Sequence, residues 1–321
     1  MQDSHRNLGL DLVRATEAAA LVAGQWMGMG VTDRAEIEAA EAMCATLDTI
    51  EMNGTIVIGQ EGRKPTCPLT HTGAPLGTGA GLPVDVVMDP IDGQYLLAQG
   101  YPGALAVIAV APRGAFWGPA PAVYMEKLVV DAEVAPFLVP ECLGAPAAWT
   151  LGLVARAKGK KVSDLVVFCL DRPRHADLIA EIRSAGARVT LRDEGDIAGA
   201  LLAVFEEGGV DILLGTGGIA EGLIAACAVK AASGAMLGCL DPQSAAESTA
   251  IREAGLDVHR ILTVDELVAG DEVFFAATGI TDGPLLDGVR YHGERASSNS
   301  LILRGETHTR RIIQAQHLLG E

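Results

Sequence analysis

From about residue 151 onward the chain alternates short apolar runs with stretches of helical spacing, and this alternation limits the possible folds more than any other feature. Runs at 165–170, 188–191, 211–214 and 236–240 have the length and apolar character of buried strands. Between them, 176–185, 197–205 and 218–232 read as helices. Such repetition predicts a largely parallel sheet with helices on its faces. A strand at 273–279, two strand-like stretches at 289–294 and 300–304, and a last helix at 309–319 complete the expected C-terminal part.

The N-terminal half is built differently. Leu8, Leu12, Ala15, Ala19, Val22 and Trp26 recur at spacings of four and three, one apolar stripe of a helix over 8–27 that Gly28 and Gly30 end. A second helix follows, with Thr32 or Asp33 as N-cap and Glu36 at capping-box spacing. Strands are then expected at 54–59, 84–89, 104–111 and 124–130, clustered in blocks as in α+β layering. The chain is therefore read as α/β, with a domain over 1–150 and a second over 151–321, meeting near 145–160 without a low-complexity linker.

Composition narrows the function. A net charge of −17 leaves no basic face for nucleic acid. The same charge repels an anionic substrate unless cations or local arginines reverse the field. Six cysteines are widely spaced with no C-x-x-C pair, which points to a reducing compartment and to neither a disulfide framework nor a zinc ribbon. No run of 18 apolar residues occurs, so a soluble, cytoplasmic protein without a membrane partner is expected.

The stretch V-D-V-V-M-D-P-I-D-G, Val84 to Gly93, carries the sharpest chemical signal. A β-branched run is expected to stop at Asp89, Pro90 to fix a turn, and Gly93 to leave room for a ligand after Asp92. Two carboxylates three residues apart on a rigid turn suit hard divalent cations. With T-E-A-A-A-L at Thr16, N-G-T-I-V-I-G at Asn53, Y-M-E-K-L at Tyr124, R-P-R-H at Arg172, G-G-I-A-E-G at Gly217 and A-T-G-I-T at Ala277, the D-P-I-D-G string resembles the class II fructose-1,6-bisphosphatases. These belong to the Mg²⁺-dependent, lithium-sensitive sugar and inositol phosphatase superfamily. The resemblance implies a layered αβαβα sandwich, a small phosphorylated sugar as substrate, Mg²⁺ or Mn²⁺ as cofactor, and a homodimer or homotetramer.

It also implies a site, position by position. The metal ligands would be Glu36, Glu61, Asp89, Asp92 and Glu221, with Asp33 a nearby competitor for Glu36. Glu36 stands where the family has Asp, and Asp92 where this branch has Glu. Where the family has two glutamates one residue apart, this chain has Gln60-Glu61-Gly62-Arg63. One inserted residue aligns Glu61 with the first of them and Arg63 with the second, and another gap placement puts Gln60 first. Gln94 replaces the threonine that helps orient the attacking water, and Glu36, Glu61 and Gln94 form the implied catalytic group. Substrate contacts would come from Asp92, Gly93, Gln94, Tyr124, Arg172, Arg174, Glu194, Asp196 and Gly218. Arginine forks on phosphate and carboxylates on sugar hydroxyls are the matching chemistry. His175 is read as a solvated residue at a helix start.

Two other classes remain in view. Gly215-Thr216-Gly217-Gly218 follows a strand and opens a helix, as in dinucleotide-binding folds, but Ala220 breaks G-x-G-x-x-G and no acid ends the next strand unless Asp241 takes that role. Glu36, Arg63 and Gln94 also fit a phosphatase of a heptulose or other specialised sugar phosphate, or a homologue that binds without turnover.

Overall fold

The computed structural model describes residues 8–59, 68–118 and 120–319. They fall into two compact units, one of 1–115 with 272–321 and one of 116–271. The expected junction at 145–160 lies inside the second unit. The reason is pairing: the C-terminal strands return to the first sheet, so the chain is divided at two crossings.

The first unit opens with helix α1 (Leu8–Ala23) and helix α2 (Asp33–Leu47). The capping box expected on α2 is not made. Thr32 Oγ1 instead donates to Asp33 Oδ1 at 3.1 Å. Strands β1 (Met52–Ile56), β2 (Pro75–Leu76) and β3 (Leu82–Asp92) follow. Contrary to expectation, β3 does not stop at Asp89. It runs on through Pro90 to Asp92, and its register against strand β4 (Leu105–Pro112) slips between the two aspartates. A bulge can accommodate the N–H that Pro90 lacks and turns the strand end sharply. Gly93, at φ +95, then admits the short helix α3 (Gln94–Gln99).

The chain next builds the second unit. Its strands are β5 (Tyr124–Val130), β6 (Val166–Leu170), β7 (Arg188–Arg192), β8 (Ile212–Gly218), β9 (Ala235–Leu240) and β10 (Leu262–Thr263), in spatial order β10-β9-β5-β8-β6-β7. Helices α4 (Glu141–Gly144), α5 (Ala147–Ala157), α6 (Ala176–Ser184), α7 (Asp196–Val204), α8 (Ile219–Ala231), α9 (Ala245–Glu253) and α10 (Val264–Leu267) surround it. Among the described residues of this sheet the parallel pairs are those of β6 with β7 and β8, and β5 lies antiparallel between β8 and β9. The expectation of a largely parallel sheet is corrected to a mixed one, because β5 inserts between strands that follow it in sequence.

Returning, the chain adds β11 (Phe274–Gly279), β12 (Arg290–His292), β13 (Arg295–Arg304) and β14 (Thr309–Leu318) to the first sheet. The last of these is a correction: 309–318 is a strand, not a helix. β14 pairs with β13 along its whole length, and residues 313–317 alternate between half-buried and exposed, the period of a strand. The β-branched residues Ile312 and Ile313 fit this surface, and the open edge of a ten-residue partner supplies every ladder bond.

The first unit's core joins α1 and α2 (Leu12, Ala19, Met43, Leu47) to the sheet (Val86, Ile108, Ala276, Ile302). A buried hydroxyl chain crosses it: Thr16 Oγ1 lies 2.7 Å from Thr278 Oγ1, which lies 2.8 Å from Ser300 Oγ. The two motifs that carry Thr16 and Thr278 thus meet. Cys44, Cys142, Cys169 and Cys227 are buried and Cys239 is half-buried, and no disulfide joins them among the described residues. No helix among them is long and apolar enough to cross a membrane.

Candidate active site

In the first unit the burial of α2 and β3 sets the acidic residues. Glu36 lies in the first turn of α2 with none of its surface exposed, while Asp33 points to solvent. Asp89 and Asp92 flank the bulge at the end of β3, each 5 % exposed. Asp89 Oδ1 accepts the Ile91 N–H at 3.1 Å, which holds the turn from within. Gln94 begins α3 and is half-buried, and a side chain on Gly93 would press on Leu96 Cδ1 at 3.1 Å. A further buried acid, Asp85, is otherwise engaged: it pairs with Arg113 at 3.4 Å and accepts the Gly114 N–H at 2.6 Å.

Glu36, Asp89 and Asp92 are hard oxygen donors of the kind Mg²⁺ or Mn²⁺ takes. Burying three carboxylates in one unit of so acidic a chain is costly, and a divalent cation would offset it. Among the described residues no three His, Cys, Asp or Glu side chains converge closely enough to hold a metal by themselves. Glu61, Gln60 and Arg63 lie outside the described residues. The donor chemistry fits the ion.

The second unit gathers the other expected residues into three pairs. Arg172 and Glu194 face each other, Nη2 to Oε1 at 3.4 Å, both partly exposed. Arg174 lies over the ring of Tyr124, 5.4 Å from its centroid, and donates from Nε and Nη2 to the Thr216 carbonyl at 3.1 and 2.8 Å. Asp196, the first residue of α7, is ion-paired with Lys127 of β5, a lysine only 1 % exposed. Gly195 is the cap residue there, and Asp196 stands in the first turn. A Cβ on Gly217 would collide with this pair, 2.6 Å from Lys127 Nζ, which accounts for one glycine of G-G-I-A-E-G. Gly218 lies opposite Tyr124 in the β5–β8 ladder, and Glu221 is half-buried in the first turn of α8.

Several residues here were missed from the sequence. His175 is buried, not solvated, at 3 % exposure. Its Nδ1 lies 2.8 Å from the Leu170 carbonyl and its Nε2 accepts the Thr216 N–H at 2.8 Å. The ring is thus the neutral tautomer with its proton on Nδ1. Burial lowers its pKa, against the hydrogen bond to Leu170, which raises it. Thr216 Oγ1 donates to Asp241 Oδ2 at 2.6 Å. The Y-M-E-K alternation held the signal for Lys127 and Glu126, since a lysine inside an apolar strand requires a buried partner.

On the opposite face of β5 from Lys127, Glu126 has its pKa pushed up to about 7, first by burial and then by the nearby Asp241 carboxylate. The fold therefore favours protonated Glu126. The stability this contributes is complete below about pH 4.5 and is lost as pH rises through about 7. Glu126→Gln, neutral at every pH, is expected to melt above the wild type at pH 8 and level with it at pH 4. An equal gap at both pH values would refute the burial of this carboxyl as the cause.

The family model described as "Bacterial fructose-1,6-bisphosphatase, glpX-encoded" matches residues 6–317. The chain belongs to that family. It is 37% identical over 330 residues to the "Fructose-1,6-bisphosphatase class 2" of Haemophilus influenzae, covering 99% of this chain and 98% of that protein. It is also 37% identical over 327 residues to the "Fructose-1,6-bisphosphatase 1 class 2" of Escherichia coli K12, covering 98% and 96%. The bisphosphatase family is one of metal-dependent phosphoric monoester hydrolases with phosphorylated sugars as substrates. The expected resemblance is borne out over nearly the whole chain.

Proposed function

We propose that this family member hydrolyses fructose 1,6-bisphosphate to fructose 6-phosphate and inorganic phosphate, with Mg²⁺ or Mn²⁺. The reading is carried by the burial of Asp89 and Asp92 together at the bulged end of β3, in a chain of this family. Glu36, Asp89 and Asp92, with Glu61, would hold the cation, which would supply Lewis-acid polarisation of the phosphoryl group and a bound water of lowered pKa. A water oxygen bonds to phosphorus as the bond from phosphorus to the sugar oxygen breaks, and the sugar oxygen leaves with a proton. Gln94, half-buried after Gly93, offers its amide to that water or to a phosphate oxygen.

The second unit offers its own groups for phosphate and for sugar hydroxyls. Arg174 and Tyr124 already stack, which fixes the guanidinium plane for an oxyanion. Arg172 and Glu194 are partly exposed and can exchange their mutual pair for a phosphate and a sugar hydroxyl. Asp196 keeps one oxygen on Lys127 and presents the other to a hydroxyl. A cytoplasmic homodimer or homotetramer, implied by resemblance, completes the proposal.

Gln94, bulkier than the threonine of the family pattern, favours a second reading in which another sugar phosphate is the substrate. Phosphate release from a panel of sugar mono- and bisphosphates, with Mg²⁺, with Mn²⁺ and with EDTA, decides between them. Metal-dependent turnover led by fructose 1,6-bisphosphate is expected. A different leading substrate would transfer the assignment, and release undiminished by EDTA would overturn the metal dependence.

A further inference from the structure

The residues proposed to meet phosphate leave one buried group unexplained, the His175 ring. Its two nitrogens are both used, Nδ1 on the Leu170 carbonyl and Nε2 on the Thr216 N–H, each at 2.8 Å. The site is shaped for it: Gly215 sits at φ +141, and a Cβ there would lie 3.1 Å from both Cε1 and Nε2 of the ring. The Gly215–Thr216 peptide is therefore pinned at its N–H by the histidine, and the Thr216 side chain is pinned by Asp241 at 2.6 Å. The carbonyl of that same residue accepts both Nε and Nη2 of Arg174. The side edge of the guanidinium is consumed by this carbonyl, so an oxyanion meets the remaining edge, Nη1 and Nη2, end on.

From this arrangement we infer that His175 is a positioning residue for phosphate binding, acting through the Thr216 peptide to aim the Arg174 guanidinium. The inference rests on the reading of Arg174 as a phosphate ligand. The histidine touches no substrate. It supplies an acceptor at a fixed place; the Thr216 N–H and carbonyl lie in successive peptide planes of β8, and holding the first plane together with the Thr216 side chain leaves the carbonyl little room to turn from the arginine it receives. Geometry of this kind is steep, since misplacing a bound group by about 1 Å can cost on the order of 10²-fold in rate.

The test is steady-state kinetics with fructose 1,6-bisphosphate on Arg174→Ala, His175→Phe, His175→Gln and the double variant Arg174→Ala/His175→Phe. His175→Phe keeps the ring volume without the acceptor and is expected to raise KM about fivefold to tenfold with kcat within about twofold. The amide oxygen of His175→Gln can accept the Thr216 N–H, so this variant is expected to recover most of the loss. In the Arg174→Ala background His175→Phe is expected to change KM by less than about twofold, because the group it aims is gone. A folded His175→Phe with wild-type KM, or an undiminished effect in the Arg174→Ala background, would overturn the inference. Should His175→Phe fail to fold, His175→Asn, too short to reach Thr216, takes its place with the same expectation. If Arg174→Ala itself leaves KM unchanged, the phosphate reading of Arg174 falls, and the role of His175 falls with it.

Discussion

Asp89→Asn is expected to lower kcat by roughly 200- to 1,000-fold and to remove the response of the melting temperature to Mg²⁺. Several kcal/mol of transition-state stabilisation rest on a catalytic metal, and about 3–4 kcal/mol corresponds to that rate factor. The substitution keeps the shape and keeps an oxygen for the Ile91 N–H, so the bulge survives and the loss is one of charge. The wild-type melting temperature should rise with Mg²⁺ concentration, since an ion that binds only the folded chain stabilises it by mass action. In Asp89→Asn that rise should flatten. An Asn variant that turns over at the wild-type rate with its metal response intact would remove Asp89 from the proposed site.

The largest effect on stability is expected at Lys127. Lys127→Ala leaves the mostly buried Asp196 carboxylate without its cation and is expected to destabilise the second unit by about 3–5 kcal/mol. Thermal unfolding followed by circular dichroism should show a fall of roughly 10 °C. Lys127→Met/Asp196→Asn removes both charges while nearly preserving volume, and should regain most of that loss. Activity need not return with stability. If Asp196 also accepts a sugar hydroxyl, the double variant will be stable but will bind substrate weakly. Equal melting of Lys127→Ala and wild type would show that the pair carries no folding energy.

The sequence disclosed the elements better than their partners. Strand β5 was read at its observed bounds, because Tyr124 to Val130 ends in an apolar, β-branched run and follows the turn residues of 114–119. Its antiparallel place between β8 and β9 was not readable, since pairing is decided by contacts distant in sequence. The C-terminal strand was misread because Thr309 to Leu318 is amphipathic under either period, and only the free edge of β13 selects the extended form. At the site, the acids of D-P-I-D-G were legible from spacing and turn chemistry. The Pro90 that suggested a stop instead lies in a bulged strand. His175 was illegible, because the carbonyl and N–H that bury it belong to Leu170 and Thr216, which its own neighbourhood does not predict.

The division of the first unit between the two ends of the chain has a consequence for synthesis. When a ribosome has released residues 1–115, β4 has β3 on one side and nothing yet on the other, because β11 is still more than 150 residues away. That bare margin belongs to a strand of Leu, Val, Ile and Ala, the sort that adheres to other chains. The stretch 116–271 is contiguous and can close its own sheet first, although it is translated second. Nascent chains stalled before residue 272 should therefore hold one finished body behind one unfinished body, and the unfinished one is where chaperones would be recruited.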